Sequence, residues 1–411
     1  MRPMPKSRSP LIIIFVTIFI DLVGFGIVIP VLPLYAEKFG ASEAVIGLLV
    51  ASYSAMQFVF APLLGRLSDR IGRRPVLLVS MLGTSLGFLL MGFANALWLL
   101  FVARIIDGIT GGNISTAQAY IADVTPPEER SRGMGLIGAA FGLGFVVGPV
   151  IGGLMTHISP GAPFLFAAGL AAANATALFF LLPESLSPEH RSVSGRQASI
   201  FQIMREAGNR TITVVMSASF FSTVSFAMLT VTYALFANHR FGFDAWHTGL
   251  LFGYVGILGA LIQGGLLGRL VKQFGDKALA VAGTSLFAVC MFLLPLSPSI
   301  ALLILLSGGI AVGNSLMTPT LNGLASKSVS SASQGRVMGV MSSVASLARI
   351  IGPLFGGWLL ERDTNRGADH YGITPYWVSG SIMLIALVLA VTLPSAEASK
   401  SEKAEVAGSR Q

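Results

Sequence analysis

The chain has 411 residues, 53% hydrophobic and only 11% charged, with 47 glycines and a formal net charge of +8; its mean hydropathy is +0.75. That leaves too little polar surface for a soluble protein of this size and points to an all-α integral membrane protein. The apolar runs reach the ~20 residues a helix needs to cross roughly 30 Å of hydrocarbon, which excludes a barrel of ~10-residue alternating strands.

Residues 1–10 are polar, and the apolar run behind them is too long for a signal peptide and lacks a small-residue cleavage pattern, so a retained first helix is expected. Spans are predicted at 11–35, 45–64, 75–94, 97–122, 133–157, 163–182, 211–237, 247–267, 278–296, 299–325, 334–360 and 373–394, twelve in all. The second and third are joined by GRLSDRIGRRP, residues 65–75, read as a charged loop. Residues 184–210 form a charged linker between the halves 1–183 and 211–394, and the polar tail 395–411 is predicted to be disordered.

Lys and Arg resist translocation, and one set of alternate loops holds only Lys38, Arg240, Arg362 and Arg366. Both termini are therefore expected in the cytoplasm. The positive charge reads as topology and contact with anionic lipid, with no nucleic-acid partner. One cysteine, Cys290, leaves no intrachain disulfide, and the histidines show no metal-ligand spacing, so neither metal nor cofactor is expected. GTSLG at 83–87 matches a hydrolase elbow but lies inside a span, away from the strand–turn–helix that motif requires.

The chain repeats itself. GRLSDRIGRR from Gly65 is echoed by GRLVKQFGDK from Gly268, RGMG from Arg132 by RVMG from Arg336, and GPVIGG from Gly148 by GPLFGG from Gly352, each 203 or 204 residues later. A half-length repeat with an even number of helices gives two six-helix halves of the same orientation. In the 65–75 stretch, a topology anchor accounts for the arginines Arg70, Arg73 and Arg74. It does not require the acidic Asp69, the turn-permitting Gly65 and Gly72, or the later copy.

Ionisable residues inside spans cost roughly 2.5–3.5 kcal/mol each and face a cavity or a partner. Here they are Asp21, Arg104, Asp107 and Arg349. Burial favours the protonated form of a carboxylate and a neighbouring arginine opposes it. An aspartate that gains and loses an arginine contact as a cavity changes sides can therefore carry protons. Asp21 is the expected main carrier, with Asp107 second and Arg104 the tuning cation, while Arg104 and Asp107 can equally be a structural i,i+3 pair. Arg349 neutralises one of these carboxylates or holds an anionic substrate. In the fifth span Gly144, Gly148 and Gly152 share a face beside Pro149 and Gly153, which suits close helix contact or a hinge. Gln57, Asn113, Gln118, Tyr233, Gln263, Asn314 and Asn322 are candidates to line a substrate cavity.

DLVGFGIVIPVLP, YSAMQFVFAPLLGRLSDRIGRRPVLL, RIIDGITGG, IADVTPPEERSRGMG and GAAFGLGFVVGPVIGG together resemble the twelve-helix drug:proton antiporters of the major facilitator superfamily, most of all the tetracycline-resistance efflux pumps. The resemblance implies a monomeric proton-coupled exporter of small amphipathic compounds in the inner membrane, working by alternating access. It also implies that Asp69 meets the start of the eleventh helix near Arg336. Polar residues those pumps carry in helices 3, 8 and 9 are replaced by Gly87, Gly259 and Phe287, which leaves metal-tetracycline unsupported as the substrate. A facilitator or importer of a small metabolite on the same fold is the alternative.

Overall fold

The computed structural model describes residues 9–126, 130–186, 210–329, 331–367 and 370–393. The tail from Ser395 and linker residues 187–209 lie outside the described residues. Among the described residues every regular element is a helix.

The third helix shows which solvent the fold answers to. It exposes Val79, Leu82, Leu86 and Leu89, while Ser80 is fully buried and Thr84 is 2% exposed. A helix in water does the reverse; apolar side chains outside and hydroxyls inside suit a hydrocarbon surround.

The chain divides into two compact units, Met1–Gln197 with Tyr233–Gly256, and Ala198–Thr232 with Ile257–Gln411. The first holds α1 (Ser9–Glu37), α2 (Glu43–Ile71), α3 (Arg73–Gly92), α4 (Leu97–Thr110), α5 (Asn113–Val124), α6 (Arg130–Met155) and α7 (Ala162–Leu181). It also takes the end of α8 (Arg210–Phe241) and most of α9 (Ala245–Leu261). In the second unit α9 passes through a π-helical turn, Ile262–Leu266, into α10 (Leu267–Leu293), followed by α11 (Ile300–Lys327), α12 (Ser331–Thr364) and α13 (Ile373–Val391).

Among the described residues eleven helical segments are long and apolar enough to cross a membrane, against twelve expected spans. The difference lies in Ala245–Leu296, whose 52 residues would extend about 78 Å if straight. The backbone turns at Gly275 (φ 77°, ψ 160°), so the run contains two of the expected spans.

Two details depart from a plain reading of the spans. The span expected at 97–122 is present as Leu97–Val124, but its helix is interrupted between α4 and α5 at Gly111 and Gly112, where α2 presses on it: a Cβ on Gly111 would lie 2.9 Å from Tyr53 Oη, and one on Gly112 2.8 Å from Leu64 Cδ1. The 65–75 stretch is helix rather than loop. α2 runs to Ile71 and α3 begins at Arg73, so Gly72 alone makes the turn, at φ 111°, a region that only glycine enters cheaply. Gly65 sits mid-helix, where a Cβ would have nothing within 4 Å, and has no part in the turn.

The glycine face of α6 packs on α1. A Cβ on Gly144 would meet Leu22 Cβ at 2.6 Å, one on Gly148 would meet the Val23 carbonyl at 2.6 Å, and one on Gly152 the Ile27 backbone at 3.1 Å. Gly153, beside Pro149, faces α9, with Ala245 O at 2.7 Å. In the second unit Gly352 of α12 meets Ala227 Cβ of α8 at 2.6 Å. Gly148 against Val23 and Gly352 against Ala227 are the same contact 204 residues apart. The repeat seen in the sequence is thus a repeat of packing.

Candidate functional site

The α4–α5 break is held by α2. Gln57 Nε2 donates to the Gly111 carbonyl at 2.8 Å and to Tyr53 Oη at 3.2 Å. Tyr53 and Gln57, four residues apart, share one helical face, and Gly108 lets that face in: a Cβ there would lie 2.6 Å from the Tyr53 carbonyl.

Beside the break lie the buried charges. Arg104 is 2% exposed and Asp107 5%. Arg104 Nη1 donates to Asp107 Oδ2 at 3.1 Å, and the guanidinium lies 4.2 Å from the centre of the Tyr53 ring. Its Nε has no hydrogen-bond partner. Gly87 brings α3 against the pair, since a Cβ there would stand 2.9 Å from Asp107 Cβ; the position has no room for the polar side chain that the resemblance would place there. Asp21, partly buried on α1, is within electrostatic reach of Asp107 and Asn113.

Two carboxylates stand against one guanidinium. With both ionised the cluster carries one surplus negative charge in a medium that penalises it, and a proton or an organic cation restores neutrality. No group of three or more His, Cys, Asp or Glu positioned to hold a metal ion occurs among the described residues.

A second network closes the arginine-rich end of this unit. Arg73 is 8% exposed and donates to Asp69 Oδ1 at 2.6 Å, Ser68 Oγ at 2.7 Å and Asp123 Oδ2 at 3.2 Å. The Glu184 carboxylate accepts from the backbone N–H groups of Arg73 (2.8 Å) and Arg74 (3.2 Å), a negative charge at the helix end that favours one. Arg74 reaches the Phe179 carbonyl and stacks on its ring at 5.7 Å. Arg70 stands in the last turn of α2. Asp69 is thus engaged within its own unit by Arg73; the side chain of Arg336, its expected neighbour, lies outside the described residues.

The second unit carries the matching ion pair with its sign reversed. Asp276, following Gly275 as Arg73 follows Gly72, accepts from Lys327 Nζ at 2.5 Å, and Lys327 stands 204 residues after Asp123.

The remaining cavity candidates are dispersed. Gln263, in the π-helical turn, donates to Ser315 Oγ at 3.4 Å, and Asn314 Oδ1 accepts from Thr318 at 3.1 Å. Arg349 donates to Ser346 Oγ at 3.1 Å. Tyr233 is buried edge-on to Phe252, and Gln118 is exposed, turned away from Asn113. Tyr53, Ser80, Thr84, Thr116, Asp123 and Glu184 were not among the sequence candidates. Of these, Asp123 had a signal, its 204-residue offset from Lys327.

The family model of the Major Facilitator Superfamily matches residues 14–273 and 264–410. The chain is 39% identical over 358 residues, 85% of its own length and 89% of the other, to tetracycline resistance protein class C of Escherichia coli. It is 30% identical over 364 residues, 88% and 92% of the two lengths, to multidrug resistance protein 1 of Bacillus subtilis (strain 168). Among solved structures, the human organic anion transporter MFSD10 (TETRAN) is similar with TM-score 0.72 and 25% identity, over 94% of this chain and 100% of that one. A bacterial homolog of the human lysosomal transporter Spinster, inward-facing and unoccupied, reaches TM-score 0.78 at 16% identity, covering 95% and 98%.

Proposed function

The chain belongs to the major facilitator superfamily, and from that premise we propose that it is a proton-coupled antiporter that exports drugs or other small amphipathic compounds by alternating access. It is a multi-pass membrane transporter and not an enzyme. The observation that carries the proposal is the cluster of buried Asp107 and Arg104 with the partly buried Asp21, whose surplus negative charge either a proton or a cationic substrate neutralises. Binding one then disfavours the other, which is the thermodynamic core of exchange.

Asp21 is the principal carrier in this reading. It lacks the direct guanidinium bond that Asp107 has, so its protonation breaks no ion pair. Arg104, fixed on Tyr53, holds Asp107 in place. The glycine contacts of α6 with α1 and α9 serve as the hinge, and the network around Asp69 and Arg73 locks one access state. Gln57 and Asn113 are the substrate-contacting candidates of the first unit, and Gln263, Asn314 and Arg349 those of the second. Both termini are cytoplasmic, in keeping with the loop basic residues, and the monomer is the working unit.

The test is proton movement in everted vesicles carrying the protein, read with a pH-sensitive dye while cationic, neutral and metal-chelated drugs are added in turn. Collapse of the gradient by some compounds, absent in Asp21→Asn, is the expected result. Exchange at the wild-type rate in Asp21→Asn refutes the carrier assignment, and no response to any compound refutes proton-coupled drug export.

A further inference from the structure

Four buried polar side chains in the first unit carry polar atoms with no direct hydrogen-bond partner, and of the four only Asn113 has been given a place in the site above. Ser80 Oγ, Thr84 Oγ1, Thr116 Oγ1 and both polar atoms of Asn113 are unpaired, in residues that are 0%, 2%, 0% and 3% exposed. An unsatisfied buried donor or acceptor costs about 1–3 kcal/mol. Four together in one seam call for a ligand.

Their positions are set by the antiparallel packing of α3 on α4 and α5. Arg73 bonds Asp123, Gly83 abuts Thr110 and Gly87 abuts Asp107, so Ser80 stands level with Thr116 and Asn113. On α3 the face reads Arg73, Leu77, Ser80, Thr84, Gly87; on α5 it reads Asp123, Tyr120, Ala117, Thr116, Asn113. These faces stack in layers. The ion pair lies at the arginine-rich end, then Leu77, Ala117 and Tyr120, each fully buried in the apolar core, then the unpaired hydroxyls about 10–16 Å in at 1.5 Å per residue. The carboxylates come last.

The polar groups approach the carboxylates without bonding them. Thr84 is within interaction range of Asp107 and Asn113 within that of Asp21, and neither makes a direct hydrogen bond of normal geometry. Unpaired buried polar atoms beside a carboxylate are what a bridging water satisfies, and a water in a polar recess typically finds about three such partners.

We propose that ordered water molecules occupy this seam, held by Ser80, Thr84, Thr116 and Asn113, and pass protons between Asp107 and Asp21, while Leu77, Ala117 and Tyr120 stop them from reaching the arginine-rich end. A proton leaves the Asp107 carboxyl for the bridging water as another leaves that water for the Asp21 carboxylate, so charge and atoms balance in either direction. The other ionisable groups facing the seam are Arg104 and Tyr53; Arg73, Asp123 and Glu184 lie beyond the apolar layer. That layer prevents a continuous wire, which would dissipate the gradient without moving substrate. The inference rests on the proton-coupled reading, and its tests need no substrate, so the two fail separately.

The first test uses the full-length protein in liposomes containing pyranine, with potassium and valinomycin clamping the voltage, a pH step and no drug. Wild type is expected to be as tight as protein-free liposomes. Leu77→Ser, which makes the apolar layer wettable, is expected to leak protons at least tenfold faster, and adding Ser80→Ala and Thr116→Val is expected to abolish the leak. A tight Leu77→Ser protein that remains monodisperse, or a leak that survives the added changes, overturns the proposal. The second test spares the fold: X-ray hydroxyl-radical footprinting of wild type. Met81, fully buried beside the seam with its sulfur 3.1 Å from Asn174 Nδ2, is expected to be oxidised by neighbouring bound water, and the equally buried Met383 of the second unit is not. Equal protection of both refutes the water.

Discussion

The paired ion contacts at Gly72 and Gly275 allow a quantitative test of burial. Arg73 and Asp123 have side chains 10% and 24% exposed, and Arg73 also holds Asp69 and Ser68. Lys327 is 62% exposed and its partner Asp276 15%. Removing one member of a largely buried pair leaves an uncompensated charge and costs about 3–5 kcal/mol, whereas an exposed lysine pair contributes about 0–1 kcal/mol. Arg73→Ala should therefore lower the thermal midpoint in detergent by roughly 3–10 °C, taking about 1–2 °C per kcal/mol for a chain of this length, and Lys327→Ala by about 2 °C or less. Scans at one fixed rate by fluorescence-detected size exclusion make the comparison, because unfolding of such a protein is irreversible. With Asp123→Ala, the midpoint shifts of the two single variants should fail to add in the double variant, which should lose less than their sum. Equal losses for Arg73→Ala and Lys327→Ala would show that the sign and position of the pair matter and its burial does not.

Three further outcomes follow from the packing. Gly148→Ala places a methyl group 2.6 Å from the Val23 carbonyl, while Gly142 on the same helix has open space around it; dye-reported exchange should fall severalfold in the first and stay at wild type in Gly142→Ala. Arg104→Lys keeps the charge but loses the planar stack on Tyr53, worth up to about 2 kcal/mol when desolvated, so drug-stimulated proton movement should drop roughly tenfold or more in the same assay. Gly87→Asp sets a third carboxyl against Asp107, with a Cβ 2.9 Å from its Cβ; tetracycline accumulation in everted vesicles should not rise, and the yield of folded protein should fall.

Much of the fold was legible because two signals are long-ranged. Apolar runs of span length show as hydropathy, and the 203–204 residue repeat shows as matched glycines. What escaped was local backbone freedom. Gly111 and Gly112 look like ordinary interior glycines until Tyr53 and Leu64 approach them, and a charge-rich stretch such as 65–71 reads as loop although it continues α2 to its last turn. In the candidate site, Asp21, Arg104 and Asp107 stood out as charges in apolar runs. Ser80, Thr84 and Thr116 did not, because a hydroxyl in a membrane helix ordinarily bonds its own backbone four residues back, as Thr284 does to Ala280; only the packing shows that these three do not.

The repeat also separates what the scaffold needs from what the chemistry needs. Where both halves keep a feature, the fold suffices to explain it: Gly148 and Gly352 serve the same close contact, and the ion pair after Gly72 and Gly275 survives even with its charges exchanged, so electrostatic closure is retained although the residue types are not. The buried ionisable residues have no such copies. Adding 204 to Asp21, Arg104, Asp107 and Asn113 leads to Ser225, Gly308, Ala311 and Met317. Ser225 is spent on Ser379, and Ala311 and Met317 are plain core. In the second unit Asp363 is buried, but it caps α13 through Thr374. The position equivalent to Asp21 keeps a polar group that packs against Ser379, whereas the one equivalent to Asp107 is apolar, so the second half solves the same packing problem without a carboxylate at either place. Carboxylates that packing does not require are in keeping with the charge-carrying role proposed for Asp21 and Asp107.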